Sequence, residues 1–171
     1  MALIGCKNNK GLYKNLLGKL IPNNIELYVE PFGGEFGLYQ LLNPKPDLAI
    51  YNEINPDLFH KIQHKYLKEV SVLCYNKDYK EIIKEFDNKD TFFYCDCPYL
   101  GKELYYKNHP FLTKEHHIEL SNILKNIKGK FLLSYQDKPL IRKLYDGYNI
   151  YKYTGLNYIL KPEIAITNYI C

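Results

Sequence analysis

The residues best suited to chemistry are Asp96-Cys97-Pro98-Tyr99, which directly follow the apolar segment Thr91–Cys95. A continuous apolar segment is typical of a strand buried on both faces, so Asp96 would stand at the strand's end. Pro98 restricts the backbone and can hold neighbouring carbonyl groups in one direction, and the Tyr99 ring offers a flat surface for stacking. These residue types suit the binding of a planar polar substrate, although they also fit a strand that ends in an ordinary proline turn.

Two earlier segments could hold a ligand that carries an anionic group and a ribose. Glu30–Gly37 (EPFGGEFG) follows a short apolar segment, and its glycines would let a ligand approach the backbone and the next helix N-terminus. Glu53 follows Leu48–Asn52 about twenty residues after Gly33, where an acid commonly accepts hydrogen bonds from ribose hydroxyls. Each segment alone also fits a structural turn or a solvated acid.

Alternating elements are predicted to position these residues. Strands are predicted over Glu26–Glu30, Leu48–Asn52, Thr91–Cys95 and Lys130–Tyr135, with a final antiparallel hairpin over Asn149–Tyr153 and Glu163–Ile170. Helices are predicted over Gly11–Leu20, Phe36–Leu42, Pro56–Tyr75, Asp78–Phe86, Lys114–Ile127 and Pro139–Tyr145. The pattern predicts one α/β domain over residues 1–171, with a doubly wound, mostly parallel sheet and ligand sites at the strands' carboxyl ends.

Composition excludes a disordered chain and gives a weak indication of a polyanionic partner. The chain has 171 residues, 46% hydrophobic, and a net charge of +4. We expect an intracellular, cytoplasmic protein with reduced thiols and no membrane partner, because no signal peptide or membrane-length apolar segment is visible and the five cysteines are irregularly spaced. Cys95 and Cys97 lack a second ligand pair, so no metal site is predicted.

The motifs together resemble one enzyme family. YCDCPYL, around Asp96, resembles the YCDPPYL-type motif of the Dam-like class of DNA adenine-N6 methyltransferases. YVEPFGGEFGLYQLL resembles the cofactor loop of that class, YNEINPDL its following acidic motif, and IGCKNNKGLYKNLLGKLIP its amino-terminal cofactor motif. KDY matches its acid-aromatic pair, and FLLSYQD and PEIAITNYI resemble two later strands. This ordered resemblance from Ile4 to Ile170 implies a Rossmann-like methyltransferase sheet that uses S-adenosyl-L-methionine as methyl donor.

The resemblance also implies how the cofactor would be held. Lys7 would bind its methionine carboxylate and Glu53, where the family usually has Asp, its ribose. Ile54 and Tyr79 would sandwich its adenine, and Asp78 would accept a hydrogen bond from the adenine amino group. The implied cofactor-binding set is Lys7, Glu30, Phe32, Gly33, Gly34, Glu53, Ile54, Asp78, Tyr79 and Asp96.

Catalysis is assigned by the same resemblance to Asp96, Cys97, Pro98 and Tyr99. Asp96 and the Cys97 carbonyl would each accept one N–H bond from the target amine, which orients its lone pair toward the methyl group. Tyr99 would stack on a base flipped out of the duplex. The family motif has Pro at position 97, but Cys supplies the same backbone carbonyl, and no metal is required.

Because the chain is short, the resemblance does not show which residues would recognise a particular DNA sequence. Longer family members insert a DNA-recognition domain between the ribose acid and the acid-aromatic pair, whereas Glu53 and Asp78 are close in this chain. The loop Gly101–Thr113 is a candidate replacement, with Lys102, Lys107 and His109 for phosphates and Tyr105 and Tyr106, with Phe111, for stacking. The alternative is a surface loop whose aromatic side chains pack locally. A self-dimer or a partner subunit could also supply the missing surface.

Three functions therefore stay open on the sequence. The first is a DNA adenine-N6 methyltransferase, as in a restriction-modification system. The second is a non-catalytic relative that binds cofactor or DNA as a partner subunit. The short chain and Cys97 favour this second function, whereas Lys7, Asp96 and Tyr99 favour the first. The third is a methyltransferase that acts on RNA or on cytosine-N4.

Overall fold

A computed structural model describes residues 16–101, 113–153 and 162–170. Its strands are β1 (Leu27–Glu30), β2 (Leu48–Asn52), β3 (Val72–Tyr75), β4 (Thr91–Cys95), β5 (Lys130–Gln136), β6 (Asn149–Tyr153) and β7 (Glu163–Thr167). Its helices are α1 (Gly18–Leu20), α2 (Gly37–Leu41), α3 (Pro56–Tyr66), α4 (Tyr79–Phe86), α5 (Lys114–Leu124) and α6 (Pro139–Leu144). The predicted alternation of strands and helices is confirmed.

All seven strands form one sheet in the order β3-β2-β1-β4-β5-β7-β6. The first five are parallel, and β7 runs antiparallel to both of its neighbours. The strand order reverses between β1 and β4, and in such sheets ligands bind in the crevice beyond the carboxyl ends of the two strands at that reversal. The predicted doubly wound, mostly parallel sheet with an antiparallel hairpin is therefore confirmed.

Helices cover both faces of the sheet. Val29 and Phe93 point to one face, where they pack with the buried sides of α4, α5 and α6. Tyr28 and Phe92, one position earlier in each strand, point to the other face and pack with α1, α2 and α3. Because helices cover both faces, all five residues of β4 are buried, and all but Thr91 are hydrophobic. Within the described ranges, no helix is long and apolar enough to span a membrane.

The predicted helix over Pro56–Tyr75 is wrong beyond Tyr66. The chain turns there and Val72–Tyr75 forms β3, which pairs in parallel with β2. Val70 and Leu73 continue the helical apolar spacing, yet Val70 is 95% exposed and Leu73 is 42% exposed. Their spacing therefore reflects no buried helix face, and the edge of the sheet decided the structure of this segment.

We expect Phe93→Ala to lower the free energy of unfolding by about 3–5 kcal/mol, because it leaves a cavity beside β4, the middle strand of the sheet. Phe93 is fully buried between β1 and β5. Urea denaturation would measure the loss. Val70→Ala is the control, and equal losses in the two variants would contradict this description of the core.

Candidate active site

Asn52 ties two of the loops beside the cleft to the end of β2. Its buried side chain lies at the carboxyl end of β2, where Nδ2 donates to the carbonyls of Pro31 (2.9 Å) and Lys77 (3.0 Å). Its Oδ1 accepts from the Lys77 backbone N–H at 3.0 Å. The loops after β1 and β3 are thereby tied to the end of β2. Sequence analysis missed this residue, although an amide that ends an otherwise apolar strand was a usable signal.

The glycine loop is shaped by a close approach to β2. Gly33 donates its backbone N–H to the Asn52 carbonyl at 2.7 Å. A Cβ at Gly33 would lie 2.3 Å from the Tyr51 ring and 2.7 Å from the Asn52 carbonyl oxygen, so only glycine fits there. Gly34 has a φ of +51°, a left-handed conformation that glycine adopts without steric cost. The close approach at Gly33 is therefore made to β2, whereas the sequence predicted that a ligand would approach the glycine loop.

Glu53 joins the glycine loop to the loop after β2. It is 7% exposed; its Oε2 accepts from Gly34 N–H at 3.0 Å and its Oε1 from Asn55 N–H at 2.8 Å. Burial raises the pKa of Glu53, while the backbone N–H groups of Asn55 and Gly34 act in the opposite direction. Carboxylate oxygens have further lone pairs, so ribose hydroxyls could still donate to Glu53.

The predicted adenine-binding residues line one cleft. Its walls are Pro31, Phe32, Asn52, Glu53, Ile54, Lys77, Asp78 and Tyr79. The Phe32 ring stacks on Tyr79 with ring centroids 4.9 Å apart and an interplanar angle of 29°. This contact leaves a cavity of about 10 Å³, enough for about one water molecule. The cleft as it stands is too small for an adenine, so its walls would have to separate for one to enter.

Asp78, the predicted partner of the adenine amino group, lies at the rim of this cleft. It is the N-cap of α4, where its side chain accepts from the Lys80 backbone N–H at 2.8 Å. Capping fixes the carboxylate and satisfies a free N–H of the first turn. The cap also places Tyr79, the first residue of α4, against Phe32.

Glu30 points into the protein. Its Oε1 accepts from the Tyr28 hydroxyl at 2.6 Å and from the Tyr39 backbone N–H at 3.2 Å. Burial, with a smaller contribution from Asp96, raises the pKa of Glu30 to about 8. The structure thus places Glu30, a member of the predicted cofactor set, beneath the start of α2. Its carboxyl group is close enough to Asp96 for the charge of Asp96 to raise its pKa.

The predicted catalytic residues follow β4. Asp96 is half-buried and accepts from the Tyr99 hydroxyl at 3.3 Å, while Pro98 is buried beside it. The Cys97 side chain is 1% exposed and belongs to the α4–α6 face of the core. Burial, with nearby Cys95 and Asp96, raises the pKa of the Cys97 thiol well above its usual value. Since β4 neighbours β1, Asp96 lies across the crevice from the glycine loop.

Several predicted residues lie outside the described ranges. They are Lys7 of the cofactor set and the DNA-contact candidates Lys102, Tyr105, Tyr106, Lys107 and His109. Among the residues that the structure does describe, no group of three or more His, Cys, Asp or Glu side chains could hold a metal ion.

The fold is Rossmann-like and is shared with solved methyltransferase structures. The chain belongs to the family of D12 class N6 adenine-specific DNA methyltransferases, whose sequence model matches residues 60–158. It is 33% identical over 92 residues to the Type II methyltransferase M.CviBI of Paramecium bursaria Chlorella virus NC1A. That match covers 54% of this chain and 34% of the relative, so the chain spans about a third of that relative's length.

Solved structures share the fold at low sequence identity. The yhhF protein of Escherichia coli superposes with a TM-score of 0.65 at 10% identity, over 98% of this chain and 96% of that one. Precorrin-6y C5,15-methyltransferase of Geobacter metallireducens GS-15 gives a TM-score of 0.61 at 14% identity, over 98% and 91%. Magnesium protoporphyrin IX methyltransferase of Synechocystis PCC 6803, solved with bound SAM, gives 0.58 at 15% identity, over 92% and 76%.

We expect Gly33→Ala to lower the free energy of unfolding by about 3 kcal/mol or more. The added carbon would push the glycine loop away from the Tyr51 ring and the Asn52 carbonyl group. Gly34→Ala is the matched control: its Cβ meets nothing within 4 Å, so only about 1 kcal/mol of left-handed strain is expected. Thermal and urea unfolding would measure both variants. A smaller loss for Gly33→Ala than for Gly34→Ala would contradict the close approach.

A second prediction concerns Glu30 and pH. Because the pKa of Glu30 is about 8 in the folded chain against 4.5 ordinarily, unfolding releases a proton between these values. Stability of the wild-type chain should therefore fall as pH rises from about 4.5 to about 8, with a slope contribution of up to about 1.4 kcal/mol per pH unit. Glu30→Gln should remove that contribution, whereas the exposed Glu81→Gln should not. Parallel wild-type and Glu30→Gln stability curves would contradict the assignment.

Proposed function

We propose that this chain transfers a methyl group from S-adenosyl-L-methionine to the exocyclic N6 amine of adenine in DNA, with residues 1–171 acting as one domain. The observation that carries the proposal is Asp96-Cys97-Pro98-Tyr99 at the end of β4, across the crevice from the glycine loop. Family membership and the similarity to M.CviBI support the same reaction.

The residues around the cleft fit the cofactor. Glu53 offers carboxylate oxygens for ribose hydroxyls, Asp78 an acceptor for the adenine amino group, and Ile54 and Tyr79 two apolar walls. When bound, S-adenosyl-L-methionine supplies a methyl group on a positively charged sulfur. Binding requires the walls of the cleft to separate, and an adenine that took the place of Phe32 would keep a stacked partner for Tyr79.

Asp96 orients the target amine. The carboxylate accepts one N–H of the adenine amine and the Cys97 backbone carbonyl accepts the other, which turns the nitrogen lone pair toward the methyl group. Both acceptors also stabilise the positive charge that develops on nitrogen. In the structure the Tyr99 hydroxyl bonds Asp96, so the amine would share that oxygen or bind the second one. The Cys97 thiol stays in the core, so only its backbone serves the reaction.

We assign recognition of DNA to the segment Gly101–Thr113, which follows the candidate catalytic residues in the sequence. Lys102, Lys107 and His109 would contact phosphates, and Tyr105 and Tyr106 would stack on bases. A second copy of the chain or a partner subunit would add contacts where sequence specificity is required. The net charge of +4 is compatible with a nucleic-acid substrate.

One observation favours a second candidate function, a non-catalytic partner subunit that binds DNA. The Phe32–Tyr79 stack fills the cleft that would hold the cofactor's adenine. A chain in which this cleft never opens would bind no S-adenosyl-L-methionine. Equilibrium dialysis with the labelled cofactor separates the two candidates before any DNA is added.

We expect Asp96→Asn to lower the turnover of methyl transfer by about 10²–10³-fold, because the amide replaces a charged acceptor at the developing positive charge. Labelled S-adenosyl-L-methionine and unmethylated DNA would give the rate, and nucleoside digestion would identify methyladenine. Asp90→Asn is the matched control, since Asp90 is exposed at the opposite end of the same strand.

The outcomes separate the candidates. Methyladenine that Asp96→Asn loses and Asp90→Asn retains supports the enzyme and its catalytic residue together. A wild-type chain that binds the cofactor but modifies no DNA argues for RNA as substrate, whereas a chain that binds DNA and no cofactor argues for the partner subunit. Methylcytosine in place of methyladenine would move the reaction to cytosine-N4.

A further inference from the structure

Tyr135 lies directly behind Tyr99. Their rings are stacked, with centroids 5.3 Å apart and an interplanar angle of 23°. Tyr135 belongs to β5, where it is 1% exposed, whereas Tyr99 is half-buried at the crevice. One face of the Tyr99 ring is therefore covered from inside the protein. A base that stacks on Tyr99 must use the opposite face.

Two further side chains fix the Tyr135 ring. The Tyr135 hydroxyl is hydrogen-bonded to Nδ1 of His117, and the two rings meet edge to face with centroids 5.6 Å apart. His117 lies on α5 and is itself buried. The Cys97 thiol lies beside the same hydroxyl: burial first, and then Cys97, raise the pKa of Tyr135. Tyr135 is thus held from α5 and from the loop that carries Asp96.

We propose that Tyr135 is a positioning residue for base binding, a rigid aromatic platform that fixes the angle of Tyr99 so that a flipped adenine becomes the third ring of one stack. The inference rests on the proposed function. Tyr99 has two constraints, its hydroxyl bond to Asp96 and its ring contact with Tyr135. When the target amine competes for Asp96, the ring contact with Tyr135 keeps Tyr99 in place.

The test compares Tyr135→Leu, which removes the flat ring, with Tyr135→Phe, which keeps it. Aromatic stacking of this kind is worth up to about tenfold in a rate or an equilibrium. Tyr135→Leu should therefore lower kcat for DNA methylation by about tenfold, with little change in the KM for DNA or in cofactor affinity. Tyr135→Phe should recover most of the rate. Tyr148→Leu is the control, because Tyr148 packs on Phe131 at the far end of β5.

A second readout requires no methyl transfer. Tyrosine ring resonances of the labelled full-length chain, with Tyr99 assigned through Tyr99→Phe, report the stacking directly. Tyr135→Leu should move the Tyr99 ring-proton shifts toward those of free tyrosine, and Tyr148→Leu should not. Unfolding curves of each variant would show that the chain is folded.

Two results would overturn the platform: Tyr99 shifts unchanged in a folded Tyr135→Leu chain, or a Tyr135→Leu kcat equal to that of the wild type. Loss of rate in Tyr135→Phe equal to that in Tyr135→Leu would also overturn it, since the hydroxyl and not the ring would then matter. An inactive wild-type chain whose Tyr99 shifts still depend on Tyr135 would overturn the proposed reaction and leave the stacking intact.

Discussion

The amide side chain of Asn52 makes three hydrogen bonds across the carboxyl ends of β1, β2 and β3, and the cleft depends on them. A buried amide is costly unless its groups are paired, so the loops that carry Pro31 and Lys77 must stay in register with β2. Gly33 lies against the Asn52 backbone because those loops cannot spread apart. Glu53 then closes the same region by accepting from Gly34.

Because the strand order reverses between β1 and β4, the candidate cofactor-binding residues lie opposite Asp96. Residues that would hold a cofactor follow β1, β2 and β3, whereas Asp96 follows β4. Parallel strands all end at one edge, so segments that are distant in sequence meet there. Tyr135 and His117 extend this arrangement on the β5 side, where two buried polar side chains support one half-buried ring.

Carboxyl groups at this edge are unusually buried. Glu30 and Glu53 both have raised pKa values because the core excludes water from them, and both accept from backbone N–H groups of the glycine loop and α2. These hydrogen bonds order the glycine loop and the start of α2. They require each buried carboxyl group to be either charged or protonated in the interior, which costs free energy. The Phe32 stack on Tyr79 completes the closure, so ligand entry and loop ordering involve the same few residues.

The amino-acid sequence by itself determined the alternation of strands and helices and the mostly parallel sheet with its antiparallel end. Local signals were enough for this, because β4 is hydrophobic at all but its first position and α4 begins directly after Asp78, where the predicted helix Asp78–Phe86 begins. It did not reveal β3, whose edge position depends on pairing with β2 and not on the spacing of Val70 and neighbouring apolar residues. Nor could it show that Asn52 links the loops after β1 and β3, or that Tyr135 lies behind Tyr99. These contacts join residues far apart in the chain, and only the packed sheet brings them within hydrogen-bonding or stacking distance.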